Sequence, residues 1–257
     1  MKILCIGDVV GVAGTDFIAN RLWGIRKLTG ADFVVCNGEN ASPGNGLLPA
    51  DVQKLLGAGV DVITTGNHVW NRRELYPVLD DNPQVLRPHN YPPEAPGSGI
   101  ARVKTPFGVI EVVSLMGLVY MASLSCPFRT ADAILEKDKD AVKLRVIDFH
   151  AEATSEKKAL ACYVDGRATA VVGTHTHVQT ADEQVLPGGT AFITDLGMTG
   201  PVDSILGVGK AEVIEKFLVG LPVRFKPGEG AVVLCGALIE ADPETGKAIS
   251  IERICIE

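Results

Sequence analysis

No apolar run in the sequence approaches the roughly 18 residues that a membrane-spanning helix needs, so no transmembrane segment is expected. The N-terminal stretch MKILCIGDVVG has no small-residue cleavage site and runs directly into a strand-like segment, which argues against a signal peptide. No pair among the six cysteines has C-x-x-C spacing, and several lie inside apolar runs. They read as reduced, buried thiols of a cytoplasmic protein rather than a disulfide framework or thiolate metal site. Lysine and arginine form no cluster, and the net charge is −7. This excludes a broad surface for the backbone of duplex nucleic acid. Rossmann and P-loop glycine motifs are missing as well, as are H-E-x-x-H, G-x-S-x-G and the P-C-x-x-C of the zinc deaminases.

What remains is a chain of 257 residues, 46% of them hydrophobic, with a positive mean hydropathy. That is enough for one large domain with a full core. Strand and helix patterns alternate through the first 80 residues. Strands are predicted at 2–7, 32–37 and 60–65, with helices between and after them. Thr15 is expected to cap the first helix, Pro49 opens the second, and residues 72–79 form a third. This β-α-β order implies parallel strands buried on both faces. Closely spaced strands at 100–104 and 109–116 read as antiparallel. Further on, helices are predicted at 130–142, 154–163 and 210–219, and strands at 144–149, 168–173, 190–194, 230–239 and 248–256. The whole of residues 1–257 reads as a single α/β domain.

Four of the five histidines fall in short polar clusters that follow apolar runs. ILCI leads to Gly7-Asp8, and FVVC to Asn37-Gly38-Glu39-Asn40. DVITT leads to Gly66-Asn67-His68, LRVIDF to His150, and TAVVG to Thr174-His175-Thr176-His177. In open α/β sheets, ligands bind beyond the carboxyl ends of the strands. Carboxylates, carboxamides and imidazoles delivered there suit manganese, iron, cobalt, nickel or zinc. His175 and His177, two apart, would face the same side of an extended chain. His89, which follows Pro88 and no strand, is expected at the surface or in a substrate loop. Asp195, Gly197, Thr199, Gly200 and Pro201 are a candidate site wall, and Ser204 a turn or helix cap.

These blocks, in this order and spacing, resemble the five motifs of the calcineurin-like metallophosphoesterases, and the GENA form of the second resembles the YmdB-like branch. The resemblance runs from residue 3 to about residue 210. It implies a two-sheet sandwich of mixed strands flanked by helices. It also implies two divalent or mixed-valence transition metal ions, iron or manganese ahead of zinc. By similarity, Asp8, Glu39 and His177 hold one ion. Glu39 bridges to the second, which Asn40, Asn67, His150 and His175 complete. His68 stands off the metals as proton donor to the leaving group.

The implied activity is hydrolysis of small phosphodiesters, such as 2′,3′- or 3′,5′-cyclic nucleotides, by a hydroxide bridging the metals. Such a site keeps a charge of about +1 and attracts an anionic substrate despite the acidic chain. Two alternatives stay open at this point: a phosphomonoesterase or nucleotidase at the same site, and a metal-bound regulatory protein with little catalysis. The apolar content leaves room for a homo-oligomer. Three positions depart from the superfamily pattern. Val10 stands where the first motif has histidine, Glu39 where the second has aspartate, and Val69 where the third has an acid. One metal should therefore have a thinner protein shell, and an acid orienting His68 must come from elsewhere or be absent.

Overall fold

The computed structural model describes residues 1–137, 139 and 141–257. The chain opens with β1 (Lys2–Ile6) and the two-residue β2 (Asp8–Val9), followed by α1 (Gly11–Thr29), β3 (Phe33–Asn37), α2 (Pro49–Gly57), β4 (Val62–Thr64), α3 (Tyr76–Asp81) and β5 (Val85–Leu86). The hairpin of β6 (Ile100–Thr105) and β7 (Gly108–Met116) precedes α4 (Pro127–Glu136), β8 (Leu144–His150), α5 (Thr154–Val164) and β9 (Ala170–Thr174). The last part comprises β10 (Gln184–Val185), β11 (Ala191–Ile193), β12 (Met198–Val208), α6 (Lys210–Val219), β13 (Pro227–Ala241) and β14 (Ala248–Ile256).

Two sheets result. The first runs β2-β12-β13-β1-β3-β4-β5, with β14 also paired to β13. Within it β1, β3, β4 and β5 are parallel, and β13 is antiparallel to β1. The second runs β10-β11-β9-β8-β7-β6, parallel at its centre with antiparallel edge strands. Strand alternation sorts the core into layers. Ile3, Cys5, Phe33 and Val35 face inward and pack with Val112, Val146, Ala170 and Val172 of the second sheet. Leu4, Ile6, Val34 and Cys36 face outward beneath Ile18 and Leu22 of α1 and Val52 and Leu55 of α2. Phe149 and Val171 do the same for Leu160 and Val164 of α5. Strands buried on both faces explain why the sequence reads there as unbroken apolar runs.

Several boundaries differ from the sequence expectations. The first helix starts at Gly11, so Thr15 lies inside it, its hydroxyl bonded to the Val12 carbonyl. α4 begins three residues before the predicted 130 and ends at Glu136. Within the predicted remainder, residues 138 and 140 lie outside the described residues. The third helix is split into a 3₁₀ turn (Arg73–Leu75) and α3. β12 has no counterpart in the sequence reading, in which Gly200 and Pro201 form a turn and Ser204 a cap. Ser204 does cap a turn: its hydroxyl bonds the Pro201 carbonyl and accepts the Gly207 N–H.

Candidate metal centre

β1, β3, β4, β8 and β9 end at the same edge of the sandwich, and the loops beyond them bring eight polar side chains together. Asp8 is completely buried. Its Oδ2 accepts the His175 backbone N–H at 3.0 Å, while Oδ1 has no hydrogen-bond partner among the described residues. His177 Nε2 lies 3.7 Å from that orphan oxygen. The turn that delivers Asp8 needs Gly7, because a Cβ there would fall 2.2 Å from the Gly197 carbonyl oxygen.

His150 Nε2 is the point of convergence. Asn67 Oδ1 lies 2.9 Å from it, His175 Nδ1 3.0 Å and Glu39 Oε1 3.2 Å. Glu39 is 1% exposed and His150 fully buried. Asn40 joins the two ends of the cluster, its Nδ2 standing 3.1 Å from His177 Nε2 and 3.1 Å from Glu39 Oε1. Gly66 makes room for all this, since a Cβ would sit 2.2 Å from His150 Cδ2 and 2.3 Å from Glu39 Oε2.

The two histidines of the last block reach the site in an unexpected way. β9 ends at Thr174. His175 and His177 then take φ angles of 100° and 64°. A left-handed turn, not strand alternation, points both rings at the centre. Non-glycine residues pay strain for such angles and need outside support. Asp195 provides it. Its carboxylate accepts the Thr176 N–H at 3.1 Å and the Thr176 hydroxyl at 2.8 Å, and pairs with buried Lys157 at 2.6 Å. His177 Nδ1 bonds the Leu206 carbonyl at 3.0 Å, which turns Nε2 inward.

His68 stands at the rim of a cleft of about 510 Å³, together with Asn45, Glu39, His177, Val10 and Phe225. Its Nδ1 lies 3.1 Å from Glu39 Oε1 and 3.0 Å from Asn40 Oδ1. Its backbone N–H donates to Glu39 Oε2 at 3.2 Å. Nε2 is left on the side of Asn45, 3.4 Å from that amide.

The charges are unbalanced as they stand. Burial pushes the Asp8 carboxyl up to about 6, against the opposing pull of His177 and His150. Burial alone would strip the proton from His150, but the Glu39, Asp8 and Asp148 carboxylates outweigh it and raise His150 to about 9. Burial and the neighbouring His150 push His175 down to about 3. For Glu39, burial opposes ionisation, yet His150 and His68 hold it well below the usual carboxylate range.

A scan of the chain against family models matches that of the YmdB-like protein family over residues 4–254. The chain belongs to the YmdB-like family. A 2′,3′-cyclic-nucleotide 2′-phosphodiesterase of Bacillus subtilis strain 168 is 47% identical, over 100% of this chain and 97% of that protein. The solved structure of a novel phosphatase from Mycoplasma pneumoniae is 34% identical, with a TM-score of 0.94 over 100% of this chain and 93% of that one. A Staphylococcus aureus structure provisionally assigned as a 5′-nucleotidase shares the fold at 16% identity. Its TM-score is 0.61, over 100% of this chain and 54% of that one. The two mixed sheets with outer helices are thus the two-sheet sandwich that the resemblance implied.

The residues of this YmdB-like chain fit a metal. One ring nitrogen cannot satisfy Glu39, Asn67 and His175 together, since it offers at most one proton or one lone pair. Ligand atoms at about 2.0–2.2 Å from a zinc-like ion crowd one another in the same manner. Glu39, His150 and His175 each offer an atom within 4.8 Å of the others. Asp8 Oδ1, without a hydrogen-bond partner, and His177 Nε2 offer two more donor atoms 3.7 Å apart.

Two departures from the superfamily pattern now have physical content. Val10 packs toward Gly207, where a Cβ would meet its Cγ1 at 2.5 Å, so the missing histidine is replaced by apolar wall. No acid follows His68 in sequence, but Glu39 Oε1 lies 3.1 Å from its Nδ1. His89 lies in the loop between β5 and β6 but is not fully exposed. It is half-buried, with Nδ1 unpartnered, and its backbone N–H bonds the Ser114 carbonyl at 2.7 Å. Residues 195–201, expected as a wall, do not line the cleft, whereas Leu206, Gly207 and Val208 do. Asn45 and Asp148 were not singled out from sequence. For Asp148 a signal existed, a lone acid within the apolar strand LRVIDF.

Proposed function

We propose that this protein is a metal-dependent phosphodiesterase acting on small phosphodiesters, cyclic nucleotides bridged 2′,3′ or 3′,5′ among them. Asp8, Glu39, Asn40, Asn67, His150, His175 and His177 hold two divalent or mixed-valence ions, iron or manganese ahead of zinc. The observation that carries this reading is the meeting of Glu39 Oε1, Asn67 Oδ1 and His175 Nδ1 around His150 Nε2, within 2.9–3.2 Å. A pair of such ions supplies Lewis-acid stabilisation of phosphoryl oxygens and lowers the pKa of water toward about 7.

The chain's own residues do the rest. Glu39 and Asn40 fix the His68 ring by accepting at Nδ1, which leaves Nε2 as the edge that can pass a proton. A protonated His68 gives that proton to the leaving oxygen as the phosphoester bond breaks. The apolar side of the cleft, Val10, Leu206, Val208 and Phe225, keeps bulk water from the reacting phosphate and strengthens each polar contact. The B. subtilis relative's name points to a diester substrate, and the free thiols suit a reducing cytoplasm, although only Cys5 and Cys36 are buried as expected and Cys126, Cys162 and Cys255 are exposed.

The test compares turnover of bis-p-nitrophenyl phosphate and p-nitrophenyl phosphate by protein loaded with Mn²⁺. Preference for the diester supports the reading. A large preference for the monoester replaces it with a phosphomonoesterase. No turnover of either ester, with two metals bound, makes the protein a metal-bound regulator.

A further inference from the structure

Directly behind His150, a carboxylate lies in the interior with no basic residue paired to it among the described residues. Asp148, two residues earlier on β8, is 2% exposed. Three side chains from three other strands converge on it. Thr174 of β9 donates its hydroxyl to Oδ1 at 2.7 Å. Asn37 of β3 donates to Oδ2 at 3.0 Å, and the Thr64 hydroxyl of β4 donates to the same oxygen. All three are fully buried. Thr174 thereby spends its single proton on Asp148. Its oxygen can only accept, and His150 Nδ1 lies 3.0 Å away.

From this direction of donation the geometry points to Asp148 and Thr174 as positioning residues that set the tautomer of His150. The chain of bonds runs from His150 Nδ1–H to Thr174 Oγ1, and from the Thr174 hydroxyl to the Asp148 carboxylate. It forces the proton of neutral imidazole onto Nδ1 and leaves the Nε2 lone pair facing Glu39, Asn67 and His175. A ring nitrogen that binds a cation is made more basic, and held in orientation, by the hydrogen bond its other nitrogen makes. Here a hydroxyl is interposed between imidazole and carboxylate. The carboxylate itself spans the two sheets, taking Asn37 and Thr64 from one and Thr174 from the other. The inference rests on the metal-centre reading above, because the freed Nε2 has no other function there.

Zinc serves as probe, bound to the whole chain and measured by competition with a chromophoric chelator. Thr174→Val removes the hydroxyl but leaves Asn37 and Thr64 on Asp148. It is expected to weaken the Zn²⁺ bound at His150 by about 10–100-fold, with the other ion less affected. Thr174→Ser restores the affinity to near the parent value. If Thr174→Val folds and binds both ions as the parent does, the cluster is only a tie between sheets and the inference is overturned.

A second measurement does not depend on the variant folding. In ¹⁵N-histidine spectra of the Zn²⁺-loaded parent, His150 is expected to carry its proton on Nδ1. A proton on Nε2 overturns the inference. Failure of the parent to bind Zn²⁺ at all overturns the metal centre instead, so the two failures are told apart.

Discussion

Oε1 of Glu39 stands 3.1 Å from Nδ1 of His68, and the same oxygen stands 3.2 Å from Nε2 of His150. One buried carboxylate thus touches both the proposed proton donor and the proposed metal cluster. No acid follows His68 in sequence, and the carboxylate beside it comes from a loop 29 residues earlier. This sharing makes the roles of the two histidines separable by mutation.

His68→Ala leaves the side chains proposed as ligands in place. Catalysis on a diester with a poor leaving group should fall by about 10²–10⁴, the usual contribution of a general acid. Metal per chain, by elemental analysis, should not change. Loss of metal in this variant would reassign His68 as a ligand.

His150→Ala removes the nitrogen at which Glu39, Asn67 and His175 meet. The purified variant should hold no more than one metal ion per chain and show no measurable diester turnover. Two ions per chain in this variant would refute the placement of the centre.

Gly66→Ala tests the packing of the cluster. The new methyl would lie 2.2–2.3 Å from His150 and Glu39 atoms, which cannot move aside as a flexible side chain does. Overpacking of this kind costs about 1–3 kcal/mol. A lowered melting temperature together with lost metal is expected. Wild-type metal content would show that the cluster tolerates displacement.

Metal binding should also stabilise the folded chain, since the unfolded chain has no assembled site. With free Mn²⁺ at 100 times its dissociation constant, the gain is about 2.7 kcal/mol. Differential scanning calorimetry with Mn²⁺ and with excess chelator measures it, and equal transitions would argue against a bound ion.

His89 is expected to carry part of the acid response. Burial, with the Arg87 guanidinium as a second cause, holds its pKa below the ordinary 6.5. The unfolded chain therefore takes the proton more readily than the folded one. The stability that depends on neutral His89 is present above pH 6.5 and is lost as pH falls below it. His89→Gln should narrow the difference in melting temperature between pH 7.5 and pH 5.5. An unchanged difference would show that other groups carry the acid sensitivity.

Much of the scaffold was legible because burial on both faces leaves a mark in one dimension. β1, β3 and β8 read as apolar runs, and each run ended where a polar cluster began. α6 matched its predicted span of residues 210–219. β12 was not legible, because its pairing with β2 and β13 comes from long-range hydrogen bonds that Gly200, Pro201 and Asp203 do not announce. The start of α1 was missed for a related reason. Its first residue, Gly11, has φ 62°, and its N-cap, Val10, makes no side-chain cap bond.

The sequence by itself determined which chemical groups were available, and in what order they follow the strands, because ligand-type side chains and strand ends are both local properties. Only the tertiary structure decided how those groups face one another. Glu39 acquired His68 as a neighbour because β3 and β4 lie side by side. His175 and His177 point inward because Asp195 and Leu206, distant in the chain, hold a left-handed turn. Asp148 reaches His150 through Thr174 because β8 and β9 run parallel with His150 opposite Thr174. Such relationships depend on register and loop conformation, which are set by hydrogen bonds and packing between residues far apart in sequence.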